Sequence, residues 1–255
     1  MRCAMSFAPP VAYLSEIFAS WQGEGARVGQ RHLFVRFAGC NIRCRWCDTP
    51  DSLTRVRFCR VDYPDGRSET FSNPLALQTL AEIVRECCRL DPSIAMIAIT
   101  GGEPMVQAVF LSRWFAQAPP PVACLLETNA LVVQGLAAVL PGIEVVSADV
   151  KLPSNTGEQD PWDRHRTFFE LCRNSEMYVK MPVDQQTSSD EVARAAEMIA
   201  ATAPRATLFV QPITEADAPG WRIDQQRLAQ LAAIASQFVR DTRVLPQVHK
   251  LVGIR

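Results

Sequence analysis

Residues 34–49, FVRFAGCNIRCRWCDT, place three closely spaced cysteines directly after a short apolar run that is typical of a strand. Cys40, Cys44 and Cys47 form a Cys-x3-Cys-x2-Cys pattern. Thiolates are soft ligands that select zinc, copper(I) or iron–sulfur clusters. A structural zinc site normally takes four ligands, and this sequence has no second ligand-spaced pair of Cys or His. The pattern therefore favours a 4Fe–4S cluster with three protein ligands and one open iron.

Two other interpretations of the three cysteines stay open, an incomplete zinc knuckle and a buried cluster of cysteines. The six remaining cysteines are scattered along the chain: Cys3, Cys59, Cys87, Cys88, Cys124 and Cys172. Disulfide frameworks are typical of short secreted chains, which this is not. We therefore interpret these six as small apolar residues of the core.

Length and composition place the chain among ordinary globular proteins. Its 255 residues suffice for one sizeable α/β domain or two small ones, with 48% hydrophobic and 21% charged residues. The formal net charge of -1 disfavours a broad nucleic-acid or anionic-membrane surface. No apolar run is long enough to span a bilayer, and residues 1–10 do not resemble a secretory signal. We expect a cytoplasmic protein.

From about residue 30 onward, strand-like and helix-like stretches alternate. Strands are predicted at 32–37, 96–100, 122–128, 145–149, 177–181, 207–211 and 243–248. Helices are predicted at 77–90, 106–117, 132–140, 189–201 and 223–239, the fourth preceded by a capping box from Ser188 to Glu191. This rhythm predicts a mainly parallel sheet with outer helices, either doubly wound or barrel-like. The stretches 50–74 and 152–165 interrupt it and are predicted to be loops.

Polar residues follow five of the predicted strands. They lie at 100–103, 127–129, 147–151, 211–212 and 249–250. Because ligands of parallel α/β folds bind at the carboxyl ends of the strands, we expect these residues to form the rim of one site.

The spacing of the three cysteines, with Thr100-Gly101-Gly102-Glu103-Pro104 after the next strand, resembles the signature of the radical S-adenosylmethionine superfamily. Residues 16–25, 34–41, 46–49 and 247–250 resemble the 7-carboxy-7-deazaguanine synthase (QueE) family within it. The resemblance implies an α/β fold, a partial (βα)6-type TIM barrel with a mostly parallel sheet and outer helices. It also implies a single radical S-adenosylmethionine domain over 1–255. In that domain 1–30 would contact substrate, 50–75 would be an insertion after the cluster, and 241–255 would close the active site.

The same resemblance implies an activity and its cofactors. The family contracts the ring of 6-carboxy-5,6,7,8-tetrahydropterin to 7-carboxy-7-deazaguanine with loss of ammonia, in queuosine and 7-deazapurine biosynthesis. The cofactors would be a 4Fe–4S cluster on Cys40, Cys44 and Cys47, S-adenosylmethionine, and Mg²⁺ on Thr49. The partners implied are the pterin, a second copy of the chain and a flavodoxin-like electron donor, with no direct binding of nucleic acid or membrane.

Individual roles follow by matching motifs. Residues implied to bind S-adenosylmethionine are Trp46, Cys47, Asp48, Gly102, Glu103, Glu127, Ser147, Lys151, Gln211, Pro212, Ile213 and Thr214. Residues implied to bind the pterin are Trp21, Gln22, Gly23, Glu24, Arg36, Thr100, His249 and Arg255. Gln22 and Glu24 would hydrogen-bond its amide and amine edges, and Arg36 would face its carboxylate. On the residues alone, a surface arginine at 36 and a turn residue at 49 stay open.

Two alternative functions remain at this stage. Another small superfamily member, such as a glycyl-radical activating enzyme, shares the cysteine pattern and the glycine-rich motif but acts on a partner protein. The segments 22–25 and 48–49 argue against it. A zinc-stabilised binding module is the more distant alternative.

Overall fold

The computed structural model describes residues 10–214 and 220–255. The strands are β1 Val11–Ala12, β2 Leu14–Trp21, β3 Arg31–Phe37, β4 Phe58–Asp62, β5 Ser68–Ser72, β6 Leu75–Ala76, β7 Met96–Gly101, β8 Cys124–Thr128, β9 Val145–Asp149, β10 Glu176–Val183, β11 Thr207–Pro212 and β12 Thr242–Val244. The α-helices are α1 Leu77–Leu90, α2 Ala108–Gln117, α3 Leu136–Val139, α4 Pro153–Thr156, α5 Trp162–Leu171, α6 Ser189–Thr202, α7 Gln225–Ser236 and α8 Val248–Leu251. Cys3 lies outside the described residues, and so does all but the last residue of the stretch 1–10, which was not expected to be a secretory signal.

A ten-stranded sheet in the order β12-β11-β10-β9-β8-β7-β3-β2-β4-β5 organises the described chain. From β3 to β12 every pairing is parallel, and α1, α2, α3, α5, α6 and α7 connect successive strands of this part. β2 runs antiparallel to β3, and β4 and β5 extend that edge. The α/β fold with a mostly parallel sheet and outer helices is confirmed. Because β12 and β5 are separate edges, the barrel is partial.

Side chains on the parallel strands alternate between two apolar layers. On β3, Leu33, Val35 and Phe37 pack toward the helices in the larger cluster, whereas Phe34 belongs to a smaller cluster on the other face. The smaller cluster also contains Met96 and other residues from neighbouring strands, and it forms the floor of the inner face. Because side chains on a strand repeat every two residues, the next inner position on each strand lies above this floor.

The predicted loop at 50–74 is wrong in part, because this stretch contains the hairpin β4–β5. In β4, Cys59 and Val61 are fully buried, while Phe58 and Arg60 are exposed. This period-2 pattern is hidden among arginines, and the strand gains its partner only by pairing with β2. β2 itself, Leu14–Trp21, was not predicted, although it pairs antiparallel with β3, the next strand along the chain. Its buried residues do not alternate strictly, so the period-2 signal of a half-buried strand is missing.

Other boundaries also differ from the prediction. The helix predicted at 132–140 is reduced to α3, because Gly135 adopts a left-handed conformation with φ of 80°. The strand predicted at 243–248 ends at Val244, and α8 follows Pro246, which has no amide to donate to a sheet. The predicted loop at 152–165 holds α4 and the start of α5.

The prediction that scattered cysteines fill the core is confirmed for Cys59, Cys87, Cys124 and Cys172, which are buried free thiols. Cys88 is half-buried. Over the described ranges, none of the helices combines the length and the apolar character needed to cross a membrane.

Candidate active site

The carboxyl ends of the parallel strands form a cleft of about 410 Å³. On β7, Ala98 belongs to the apolar floor and Thr100, two residues later, lines the cleft; Tyr178 and Lys180 on β10 are arranged in the same way. The same change from apolar to polar occurs on β3, β8 and β11. A volume of this size is typical of small-molecule sites. The cleft brings together members of all five polar groups that follow the predicted strands.

Most of the predicted site residues line this cleft. They are Trp21, Gln22, Gly23, Glu24, Arg36, Cys40, Cys44, Trp46, Cys47, Asp48, Thr49, Thr100, Gly102, Glu127, Lys151, Gln211, His249 and Arg255. Five others do not line it: Glu103, Ser147, Pro212, Ile213 and Thr214. Thr214, for example, donates its hydroxyl to Gln247 Oε1 at 2.9 Å. The individual roles of all these residues stay predictions.

The three cysteines lie on a loop between β3 and the short helix Pro50–Ser52. Its base is held by backbone hydrogen bonds from Gly39 N to Ser52 O and from Cys40 N to Leu53 O, at 2.8 and 3.1 Å. All three thiols are free, half-buried and part of the cleft wall. Burial raises the pKa of Cys40 and Cys44, so iron would have to displace their protons. The donor set fits a 4Fe–4S cluster, which these three cysteines would hold.

Lys151 supplies a buried cation beside the cysteine loop. Its Nζ lies 2.8 Å from Asp149 Oδ2 and 4.7 Å from the centroid of the Trp46 ring. Burial alone would lower the pKa of Lys151, but the Asp149 carboxylate and the Cys44 thiol outweigh burial and raise it. Trp46 Nε1 is buried without a hydrogen-bond partner among the described residues. This wall therefore offers a cation and a free donor to a polar ligand.

Glu103 braces the turn that follows β7. Its carboxylate accepts hydrogen bonds from Met105 N at 3.0 Å, Thr128 Oγ1 at 2.8 Å and Asn129 N at 2.7 Å. The side chain is fully buried, and burial raises the pKa of Glu103 to about 7 although these donors lower it. In this structure Glu103 ties the glycine-rich turn to the end of β8.

Gln22 and Glu24 face the cleft from the segment after β2. Gln22 Nε2 donates to Glu127 Oε1 at 2.9 Å, and Gln22 Oε1 accepts from Glu24 N at 3.1 Å. Glu24 Oε1 accepts from the side-chain amides of Gln211 and Gln247 at 3.1 and 2.7 Å, while Oε2 pairs with Lys180 Nζ. Burial alone would raise the pKa of Glu24, but Lys180 outweighs it and lowers the pKa to about 2. Glu24 is therefore an ionised, acceptor-only group.

Lys180 was not singled out by the sequence, and Asp149 was predicted only as a member of the polar group at 147–151. Lys180 Nζ lies 3.2 Å from Asp149 Oδ1 and also contacts Glu24, and its side chain is only 6% exposed. Burial would lower the pKa of Lys180, but the carboxylates of Asp149, Glu24 and Glu127 raise it well above its usual value. One feature of the sequence could have identified Lys180 as a site residue: it is a lysine within the mainly apolar strand β10, at a position on the inner face.

The C-terminal segment packs directly on the segment that carries Gln22 and Glu24. Val248 N donates to Gly23 O at 2.9 Å, and His249 lies against Gly23 so closely that a Cβ there would be 2.2 Å from His249 Nδ1. Only glycine allows this contact. His249 is thereby brought to the cleft from a position far away in the chain.

Arg36 and Arg255 share the carboxylate of Glu16 at the part of the cleft wall formed by β2 and β3. Arg36 Nε donates to Glu16 Oε1 at 2.7 Å, and Arg255 Nη2 pairs with Glu16 Oε2. The Arg255 guanidinium lies 4.1 Å from the centroid of the Phe18 ring and also pairs with Asp62 of the β4–β5 hairpin. Glu16 lines the cleft and was not singled out as a site residue by the sequence. The wall carries two cations and an anion in direct contact.

Comparison with known proteins places this geometry in a family. A family model described as a 4Fe-4S single cluster domain matches residues 21–118. The chain is 35% identical over 248 residues to the 7-carboxy-7-deazaguanine synthase of Geobacter sulfurreducens, covering 96% of this chain and 98% of that protein. It is also 35% identical over 241 residues to the enzyme of the same name from Methanopyrus kandleri, covering 93% and 92%.

Solved structures show the same fold. The crystal structure of QueE from Escherichia coli matches with a TM-score of 0.59 at 18% identity, covering 94% of this chain and 95% of that one. A radical SAM methyltransferase from Sphaerobacter thermophilus matches with a TM-score of 0.54 at 12% identity, covering 91% and 77%. The three half-buried thiols, the cleft and the identity to full-length relatives agree, and the chain belongs to the 7-carboxy-7-deazaguanine synthase family.

Proposed function

We propose that this chain converts 6-carboxy-5,6,7,8-tetrahydropterin to 7-carboxy-7-deazaguanine with loss of ammonia. The observation that carries the proposal is that the cysteine loop and the ionised Glu24 line one cleft. One wall fits a 4Fe–4S cluster, and the other offers an acceptor for N–H groups of a pterin. The relatives bearing this enzyme name match nearly the whole chain, which supports the same activity here.

The cofactor side of the cleft is formed by Cys40, Cys44 and Cys47 with Trp46 and Lys151 beside them. A 4Fe–4S cluster with bound S-adenosylmethionine supplies a carbon-centred radical after one-electron reduction, which is chemistry that side chains cannot provide. Lys151 opposes the negative charge of thiolates and of a ligand carboxylate at this wall. Trp46 shields the loop from water and leaves its Nε1 for a ligand acceptor.

The substrate side uses Gln22, Glu24 and Arg36. Glu24 accepts N–H groups of the pterin edge, and Gln22 offers both a donor and an acceptor. Arg36 presents its planar guanidinium group to the substrate carboxylate, which replaces Glu16 as its hydrogen-bond acceptor. Thr100 and His249 orient the ring from two further directions, and Arg255 covers the cleft next to β2. Together these groups hold the pterin still and exclude water.

Thr49 is the proposed magnesium ligand, with the substrate carboxylate and waters completing the coordination. Asp48, the neighbour of Thr49 in the chain, adds a carboxylate to the same side of the cleft, which supports a divalent cation there. Magnesium would orient the carboxylate and stabilise negative charge that develops on it.

The remaining expectations belong to the same proposal. The chain acts as a single domain, in which 1–30 contacts substrate and 241–255 closes the cleft. It works in the cytoplasm as a homodimer, receives electrons from a flavodoxin-like protein and does not bind nucleic acid or membrane directly.

Anaerobic reconstitution with iron and sulfide, followed by incubation with S-adenosylmethionine, Mg²⁺, a reductant and the tetrahydropterin, tests the function. We expect 7-carboxy-7-deazaguanine by mass spectrometry, and none from the triple Cys→Ala variant at positions 40, 44 and 47. Cleavage of S-adenosylmethionine without a deazaguanine product would contradict the substrate and favour another member of the superfamily. One bound zinc without sulfide would instead favour a zinc-stabilised module.

A further inference from the structure

The carboxylate of Glu24 is surrounded by donors. Three of its roughly four acceptor sites are used, by the amides of Gln211 and Gln247 and by the ammonium of Lys180. The two amides are neutral, and Gln247 belongs to the C-terminal segment. Lys180 is the charged partner, and it comes from the inner face of β10, a strand paired on both sides.

Lys180 has little freedom to leave this position. Its ammonium lies between Glu24 and Asp149, and Asp149 is itself held by Lys151 at 2.8 Å. The charges therefore alternate from the cysteine loop to the substrate side in the order Lys151, Asp149, Lys180, Glu24. Glu127 adds a further negative charge near Lys180. A buried cation of this kind holds its partner carboxylate ionised, and an ionised carboxylate can only accept hydrogen bonds.

The hydrogen-bonding pattern of the ligand then matters. A 2-amino-4-oxo pyrimidine ring presents two adjacent N–H donors at its amine and amide edge, whereas a 2,4-dioxo ring replaces one of these donors by a carbonyl acceptor. The one acceptor site that Glu24 has left matches the amine N–H of the first ring, and it would repel the carbonyl that replaces this amine in the second. A neutral acid or an amide would accept the second edge, because it combines a donor and an acceptor.

We propose that Lys180 is a specificity-determining residue that acts through Glu24, fixing it as an acceptor so that the cleft selects 2-amino-4-oxo pteridines over 2,4-dioxo pteridines. This inference rests on the proposed function, since it takes a pterin as the substrate class. Lys180 is a positioning residue in this scheme, and the contact with the ring is made by Glu24.

The test measures binding of two unreactive probes, pterin-6-carboxylate and lumazine-6-carboxylate, to the reconstituted enzyme by equilibrium dialysis with fluorescence detection. The ratio of the two dissociation constants is the readout. Wild type is expected to favour the pterin. Lys180→Met should reduce that preference by roughly 10- to 100-fold, the effect of losing one charge-assisted hydrogen bond. Lys180→Arg should retain the preference, and Glu24→Gln should reverse it toward the lumazine.

Two further variants keep the test decisive. Lys180→Gln removes the charge but retains an N–H for Glu24, so it tests the same point if Lys180→Met does not fold. Arg227→Met is the matched control, because Arg227 donates to Thr187 O and Ser189 Oγ at the start of α6, and it does not line the cleft. It should leave the ratio unchanged.

The outcomes separate the two proposals. If wild type favours the pterin and neither Lys180→Met nor Lys180→Gln alters the ratio, the inference is wrong and the proposed function stands. An equal loss of preference in Arg227→Met would also overturn it, because the effect would then be general destabilisation. If wild type binds neither probe, the substrate class of the proposed function fails, and the inference fails with it.

Discussion

Replacement of Glu103 by glutamine is expected to destabilise the protein by about 2–4 kcal/mol. Thr128 Oγ1 and Met105 N donate to Oε1, and Asn129 N donates to Oε2. An amide has only one acceptor oxygen, so its NH₂ must face at least one of these donors. A charge-assisted hydrogen bond is then lost, and an N–H is left unsatisfied in the interior, which costs about 1–3 kcal/mol by itself.

Thermal melting at pH 8, followed by circular dichroism under anaerobic conditions, measures this effect. For a chain of this size the expected loss corresponds to a fall in Tm of about 5–12 °C. Glu191→Gln is the matched control, because Glu191 Oε2 accepts one hydrogen bond, from Ser154 N at 3.0 Å, which a rotated amide can keep. A Glu103→Gln melt no lower than that control would refute the reasoning. Unchanged stability with weaker S-adenosylmethionine binding would instead assign Glu103 a direct role at the cofactor.

Three further predictions concern iron binding, backbone geometry and pH. Cys44→Ala should lose iron and sulfide after reconstitution, whereas Cys172→Ala, in the core, should retain both by metal and sulfide analysis. Gly101→Ala should lower the yield of soluble protein sharply, because φ is +127° and the new Cβ would lie 2.1 Å from Phe37 O. Burial lowers the pKa of His32 from 6.5 to about 4. As the pH falls, the unfolded chain therefore binds this proton at a higher pH than the folded chain does. The contribution of His32 to stability is complete above pH 6.5, and the free energy of unfolding should fall by up to about 3 kcal/mol toward pH 4. His32→Phe should flatten this acid limb in melts at pH 7.5, 6 and 5.

Much of the fold and part of the site could be predicted because their signals are local. The alternation of apolar runs and amphipathic stretches is sufficient to indicate a parallel α/β sheet. Ser188 does accept a hydrogen bond from Glu191 N at 3.4 Å, as the capping box predicted, because both partners lie within one turn of helix. The cluster site was predicted from the spacing of Cys40, Cys44 and Cys47 alone.

The hairpin β4–β5 and strand β2 could not be predicted in this way. β4 and β5 are short, and β4 becomes a strand by pairing with β2. β2 is longer, but its buried residues do not alternate strictly, so its sequence lacks the pattern of a strand. The capping glutamate also found a partner outside the local motif, since Glu191 Oε2 accepts from Ser154 N. Pairing energies between segments distant in the chain do not appear in any local pattern.

The cysteine triad, the glycine-rich turn and most strands of the parallel part of the sheet were therefore determined by the sequence alone, because each depends on neighbours along the chain. The tertiary structure alone decided which charges meet. Lys180 contacts Glu24 across 156 positions, and Arg255 contacts Glu16 across 239. The ionisation of Glu24 depends on that encounter, because a buried carboxylate stays charged only when folding brings a cation and donors to it.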